Sequence, residues 1–148
     1  MEVFDKFYNK ALRFLSYRPR SEKEVRENLK KKKTESVIIE KIILKLKEQN
    51  FINDEEFVKW WIEQRTTVRP KGLRVIKLEL KQKGIDTDLR LKINDFEQAK
   101  KLIEKKATRY KGLTKQELYR KLGGFLSRRG FDYDTIKKSI DEVTNKGV

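Results

Sequence analysis

The 148 residues are 36% hydrophobic and 41% charged, with 38 Lys and Arg against 23 Asp and Glu and a formal net charge of +15. Such a chain can form one ordinary domain or a row of small units with modest cores, and the high charge favours the row. Cysteine and histidine are both absent, which excludes thiolate nucleophiles, imidazole bases, disulfides and the usual zinc ligands together.

Carboxylate chemistry with magnesium would need several acids converging on one site, whereas the acids here are scattered among lysines. Neither an enzyme nor a cofactor or metal is therefore expected. Residues 1–50 carry 14 basic and 8 acidic side chains, residues 51–96 carry 10 and 8, and residues 97–148 carry 14 and 7. An ordinary solvated surface accounts for much of the lysine but not for the imbalance, so a polyanion is the expected partner, nucleic acid first. The start, Met1-Glu-Val-Phe-Asp, is not that of a secretory signal, and no stretch approaches transmembrane length. The expectation is a cytoplasmic protein with no membrane partner.

Along the chain, Phe4, Phe7, Ala11, Phe14 and Leu15 share one helical face and predict a helix ending near Tyr17. Pro19 stops it, and Ser21 with Glu24 has the capping-box spacing that starts a second helix, with Val25 and Leu29 inward. That helix ends in Lys30 to Lys33, where positive charge suits the C-terminal dipole; Val37, Ile38, Ile42, Leu44 and Leu46 mark a third, to about Gln49.

Asn53 or Asp54 can cap the next helix, which holds Phe57, Trp60 and Trp61 and continues to Arg65. Paired tryptophans suit base stacking, but a helix with Phe57 and Ile62 needs a buried face, so at least one tryptophan belongs to the core. After Pro70, Lys71-Gly72 opens a helix with Leu73, Ile76, Leu78 and Leu80, and Gly84 suits its C-cap. Asp86 or Thr87 then caps a shorter helix through Leu89 and Ile93.

Ala99, Leu102, Ile103 and Ala107 predict a further helix, and Thr114 with Glu117 a capping box for one containing Leu118, Leu122, Phe125 and Leu126. Gly123-Gly124 lies inside that helix; with no preceding strand and no Gly-Lys-Ser/Thr ending, close packing or a bend is a better reading than a phosphate loop. Asp132 or Asp134 caps the last helix, with Ile136, Ile140 and Val143 inward.

One element occurs three times: Leu29-Lys-Lys-Lys-Lys-Thr-Glu-Ser-Val-Ile, Leu80-Lys-Gln-Lys-Gly-Ile-Asp-Thr-Asp-Leu and Leu126-Ser-Arg-Arg-Gly-Phe-Asp-Tyr-Asp-Thr-Ile. Its leucines lie 51 and 46 positions apart, a spacing that fits a small helical unit. The expected fold is all-α, three tandem three-helix repeats over 1–50, 51–96 and 97–148 in an elongated helical array able to curve. Each middle helix ends in exposed cations beside a turn: Lys31, Lys32 and Lys33; Lys81 and Lys83; Arg128 and Arg129. Helix-dipole chemistry explains part of that pattern, and a row of cations suited to tracking a polyanion explains the rest. A sequence-reading transcription factor is the weaker alternative, because no single helix stands out as a recognition helix.

Four stretches, taken in order, resemble the RecX family of bacterial regulators of RecA recombinase. They are Arg18-Pro-Arg-Ser-Glu-Lys-Glu; Phe51-Ile-Asn-Asp-Glu-Glu-Phe with Trp61 and Arg65 downstream; Arg69-Pro-Lys-Gly-Leu-Arg-Val-Ile-Lys-Leu-Glu-Leu-Lys-Gln-Lys-Gly-Ile; and Lys121-Leu-Gly-Gly-Phe-Leu-Ser-Arg-Arg-Gly-Phe-Asp-Tyr-Asp-Thr-Ile. The resemblance implies three three-helix repeats, binding in or near the groove of RecA filaments, and control of the recombinase, usually inhibition. It also implies single- or double-stranded DNA as a further partner and no ATPase activity; the expected state is a monomer. One departure is Lys33-Thr34, which stands where the other two breaks carry glycine, so the first cap is expected to differ. Arg65, Arg69, Lys71, Arg74, Lys81, Lys83, Arg128 and Arg129 join the first lysine cluster as candidates for filament or DNA contact. Glu79 is expected to be structural, pairing with Lys83 four residues on.

Overall fold

The computed structural model describes residues 2–67, 69–86 and 94–145, apart from the side chain of Ala107. Within them run eight α-helices: α1 Glu2–Tyr17, α2 Glu22–Lys31, α3 Ser36–Glu48, α4 Asp54–Thr67, α5 Leu73–Gln82, α6 Asp95–Lys106, α7 Lys115–Arg128 and α8 Tyr133–Asn145. A short 3-10 segment, Ala107–Tyr110, separates α6 from α7, and no strand occurs among the described residues. The helix expected through Leu89 and Ile93 lies outside the described residues. The described residues fall into two compact units, those within Met1–Trp61 and Leu80–Asp86, and those within Ile62–Glu79 and Thr87–Val148.

In the first unit α1, α2 and α3 pack on one another around Ala11, Val25, Leu29, Ile39, Ile42, Ile43 and Leu46. The capping box forms as its spacing predicts: the Glu24 amide donates to Ser21 Oγ at 3.2 Å and the Ser21 amide donates to Glu24 Oε1 at 3.0 Å. The aliphatic run that marks α3 buries Ile39 and Ile43 and leaves Val37 and Leu44 63% and 59% exposed. A run so rich in aliphatics offers two candidate stripes, and packing on α1 and α2 selects between them. Phe57 and Trp61 are buried and Trp60 is half-buried, with the Arg18 guanidinium 5.5 Å from the Trp60 ring centre, so the tryptophans serve the core.

In the second unit α6, α7 and α8 enclose Ala99, Leu102, Ile103, Leu122, Leu126, Phe131, Ile136, Ile140 and Val143. α7 runs unbroken through Gly123 and Gly124, and a Cβ at either position would sit no closer than 3.4 Å to a neighbour. The close approach lies elsewhere, at Gly72 and Gly130. Only the first half of the expected box at Thr114 matches the first repeat: the Glu117 amide donates to Thr114 Oγ1, while the Glu117 carboxylate takes the Thr114 hydroxyl.

The three breaks share one geometry. The carbonyls of Leu29, Leu80 and Leu126 accept from the amides of Thr34, Ile85 and Phe131 at 3.1, 3.0 and 3.2 Å. Lys33, Gly84 and Gly130 donate in the same way to Lys30, Lys81 and Ser127, which is the Schellman pattern. All three turn residues have positive φ, 61° for Lys33, 80° for Gly84 and 96° for Gly130. The first cap therefore does not differ, although a lysine adopts the left-handed backbone at a steric cost that glycine avoids. The three leucines are fully buried.

A second recurrence lies at the helix starts. Asn53 caps α4 by accepting from the Glu56 amide, and Asn94 caps α6 by accepting from the Glu97 amide. The adjoining aspartates cap other helices: Asp54 accepts from the Glu22 amide at 2.9 Å and Asp95 from the Leu73 amide at 3.0 Å. Each Asn-Asp pair thus ties the start of its own helix to the start of an earlier one. Burial raises the Asp95 pKa, against the lowering effect of the Leu73 amide, and the nearby Asp132 charge raises it further.

Candidate functional site

The second unit contains a cavity of about 540 Å³ lined by Gln64, Arg65, Arg69, Lys71, Arg128 and Arg129. Its walls come from two parts of the sequence. The end of α4 and the segment after it supply the first four residues, and the end of α7 supplies the two arginines.

Local sequence explains why these side chains face one space. Pro70 prevents α4 from continuing, and the Lys71 amide donates back to the Arg65 carbonyl at 3.0 Å, folding the segment onto the helix end. The Gly72 amide then donates to the Arg129 carbonyl at 2.7 Å. This approach requires glycine: a Cβ on Gly72 would fall 2.2 Å from the Gly130 carbonyl oxygen, and one on Gly130 would fall 2.4 Å from Val75 Cγ2. Two glycines with no side chain between them thus bring Lys71 and the arginine pair together. In the sequence Gly72 reads only as a helix opening, since nothing local indicates the partner 58 positions away.

Glu79 organises one wall. Arg65 Nε donates to both carboxylate oxygens at 3.1 Å, and Lys71 Nζ reaches Oε2 at 3.2 Å. Glu79 does not pair with Lys83 as its spacing predicts; Lys83 pairs instead with Glu24 at 3.3 Å and lies 5.5 Å from the Trp61 ring centre. Arg129 packs its guanidinium 4.9 Å from the Phe125 ring centre, and its Nη1 is buried with no hydrogen-bond partner among the described protein groups. No acidic side chain is among the described residues lining the cavity.

Of the residues singled out in the sequence, Arg65, Arg69, Lys71, Arg128 and Arg129 meet in this cavity, and Gln64 is the lining residue that sequence reasoning missed. Arg74 and Lys81 are exposed on α5, and Lys31, Lys32 and Lys33 are exposed at the end of α2. Lys83 is half-buried and engaged by Glu24. Burial alone would raise the Glu24 pKa, but the Ser21 amide, Arg18 and Lys83 outweigh it and hold the carboxyl below its ordinary value.

No group of Asp and Glu among the described residues is arranged to hold a metal ion. No helix among them is long and apolar enough to cross a membrane. The fold and the cavity together define an all-α protein of three-helix repeats carrying a concave cationic site. Family models described as the first, second and third three-helix domains of RecX match residues 8–46, 53–90 and 94–140. Regulatory protein RecX of Bacillus velezensis is 37% identical over 93% of this chain and 55% of its own length. Its counterpart from Clostridioides difficile is 34% identical over 97% of this chain and 71% of its own length. The crystal structure of RecX from Lactobacillus salivarius superposes with a TM-score of 0.83, at 33% identity and 97% coverage of both chains. The chain belongs to the RecX family. It spans about half the length of the Bacillus relatives it matches.

Proposed function

We propose that this protein binds RecA nucleoprotein filaments and lowers recombinase activity, acting as a noncovalent regulator and not as an enzyme. The observation that carries the reading is the convergence of five cations in one cavity of a RecX-family chain. A filament repeats its charge regularly, so a cationic site on a monomer made of repeats over 1–50, 51–96 and 97–148 can hold it through several modest contacts. The Arg65, Arg69, Lys71, Arg128 and Arg129 side chains form the principal polyanion contact in this reading, and Lys31, Lys32, Lys33, Arg74, Lys81 and Lys83 are subsidiary. Action in the cytoplasm, without a membrane partner, fits a regulator of that kind.

The test is ATP hydrolysis by RecA on single-stranded DNA, with binding of this protein to DNA alone measured alongside. A concentration-dependent fall in hydrolysis beyond what DNA competition explains supports the reading. No such fall sinks it and favours the second reading, a non-specific nucleic-acid-binding protein without a recombinase partner, which the same cavity also suits. In that case binding should weaken with salt by a slope of about −0.7 to −0.9 per phosphate neutralised.

A further inference from the structure

The cavity is more specific than a basic surface. It is concave, it lies in the size range of ligand sites, and four of its six described lining residues are arginines. A guanidinium offers a planar fork of donors that matches the oxygens of a phosphate, whereas a lysine offers a point charge. Three of the five cations, Arg129, Arg65 and Lys71, are also held before any ligand arrives. Arg129 rests on Phe125, and its backbone carbonyl is fixed by the Gly72 amide. Arg65 and Lys71 are fixed by Glu79. Such preorganisation lowers the ordering cost of binding. One donor on a lining residue, Arg129 Nη1, is buried without an acceptor among the described residues, a costly arrangement. Five cations line one small space with no acid among its described lining residues, a charge density suited to a ligand with more than one anionic group.

We propose that the cavity lined by Arg65, Arg69, Lys71, Arg128 and Arg129 is a binding site for linked phosphate groups, the chemistry shared by a nucleic-acid strand and a free oligophosphate. The inference rests on the reading of this cavity as a polyanion contact, and names the chemical group it takes.

The test uses the full chain without RecA and two probes, inorganic pyrophosphate by calorimetry and a labelled oligothymidylate by fluorescence anisotropy. Arg128→Gln/Arg129→Gln removes two charges from the cavity, and Lys41→Gln/Lys121→Gln removes two from exposed helix positions outside it. Far-UV circular dichroism checks that both variants fold. Should the arginine pair prove necessary for folding, Arg69→Gln, at an exposed lining position, replaces it. The expected result is a loss of about tenfold or more in affinity for at least one probe in the cavity variant, and about twofold or less in the control. Loss for pyrophosphate identifies a free oligophosphate as ligand, and loss for the oligonucleotide alone identifies the strand. Equal losses in the two double variants, or none in either, would overturn the proposal. Weak phosphate binding with RecA inhibition intact would sink this inference alone; phosphate binding without any effect on RecA would sink the regulatory reading and leave the site standing.

Discussion

The two units treat their positive charge differently. In the first, carboxylates draw cations into internal contacts: Glu24 holds Arg18 at 2.5 Å and Lys83 at 3.3 Å, and Glu22 holds Arg26 at 2.8 Å and Lys47 at 2.5 Å. In the second, Lys100 and Lys115 are paired likewise with Glu142 and Asp141, but five cations share one cavity with no acid among its described lining residues, and Glu79 engages two of them from the side. Counting basic residues by segment gives the outer segments the larger excess and the middle one the smallest, yet Arg65, Arg69 and Lys71 of that middle segment line the cavity. Where the excess charge collects is set by where the acids sit, not by the local tally of lysines.

The largest effect expected from breaking this contrast comes from Gly72→Ala. A methyl placed 2.2 Å from a backbone oxygen forces apart the two segments that frame the cavity, with a loss of roughly 3 kcal/mol of stability. Urea unfolding measures it, and an unchanged midpoint would show that the contact yields easily. Phosphate affinity should fall in the same variant, because the arginine pair no longer faces Lys71.

Glu24→Gln tests the other side of the comparison. It removes half of a capping box and the partner of Arg18 and Lys83, at a cost of about 2 kcal/mol near neutral pH. The sign with pH follows from the depressed carboxyl. Stability from Glu24 is fully present above its ordinary value of 4.5 and is lost as pH falls below that through the folded-state value. The difference between wild type and variant should therefore shrink as unfolding is repeated at progressively lower pH; a constant difference would assign the effect to packing.

Glu79→Gln sharpens the contrast, since its ion pairs are more exposed and their loss should cost only about 1 kcal/mol. Affinity for pyrophosphate, followed by calorimetry, should fall, because Arg65 and Lys71 lose the carboxylate that holds them in place. A rise would instead mean that repulsion between the carboxylate and the ligand outweighs that positioning. The smallest effect belongs to Lys33→Gly, which relieves a left-handed lysine and should raise thermal stability by about 0.5–1 kcal/mol. No gain would mean that the added freedom of the unfolded chain offsets the relief.

Much of the first unit was legible in the sequence: the box at Ser21 and Glu24 and the burial of Val25 and Leu29 follow from local spacing. The stripe on α3 was not, because Val37 and Leu44 are as apolar as Ile39 and Ile43 and only the packing partners distinguish them. At the site, the sequence offers eleven candidate cations, and nothing in it shows that five of them, Arg65, Arg69, Lys71, Arg128 and Arg129, line one cavity. Helical spacing pairs Glu79 with Lys83, whereas its partners Arg65 and Lys71 lie fourteen and eight residues away.

By itself the sequence determined the helices, their caps, the recurring leucine breaks and the surplus of positive charge, all of which depend on neighbours within about one or two helical turns. Only the tertiary structure decided which charges are neutralised and which converge. The meeting of Lys71 with Arg128 and Arg129 depends on a glycine-to-glycine backbone contact between residues 58 positions apart, and such a contact leaves no periodic trace in the chain.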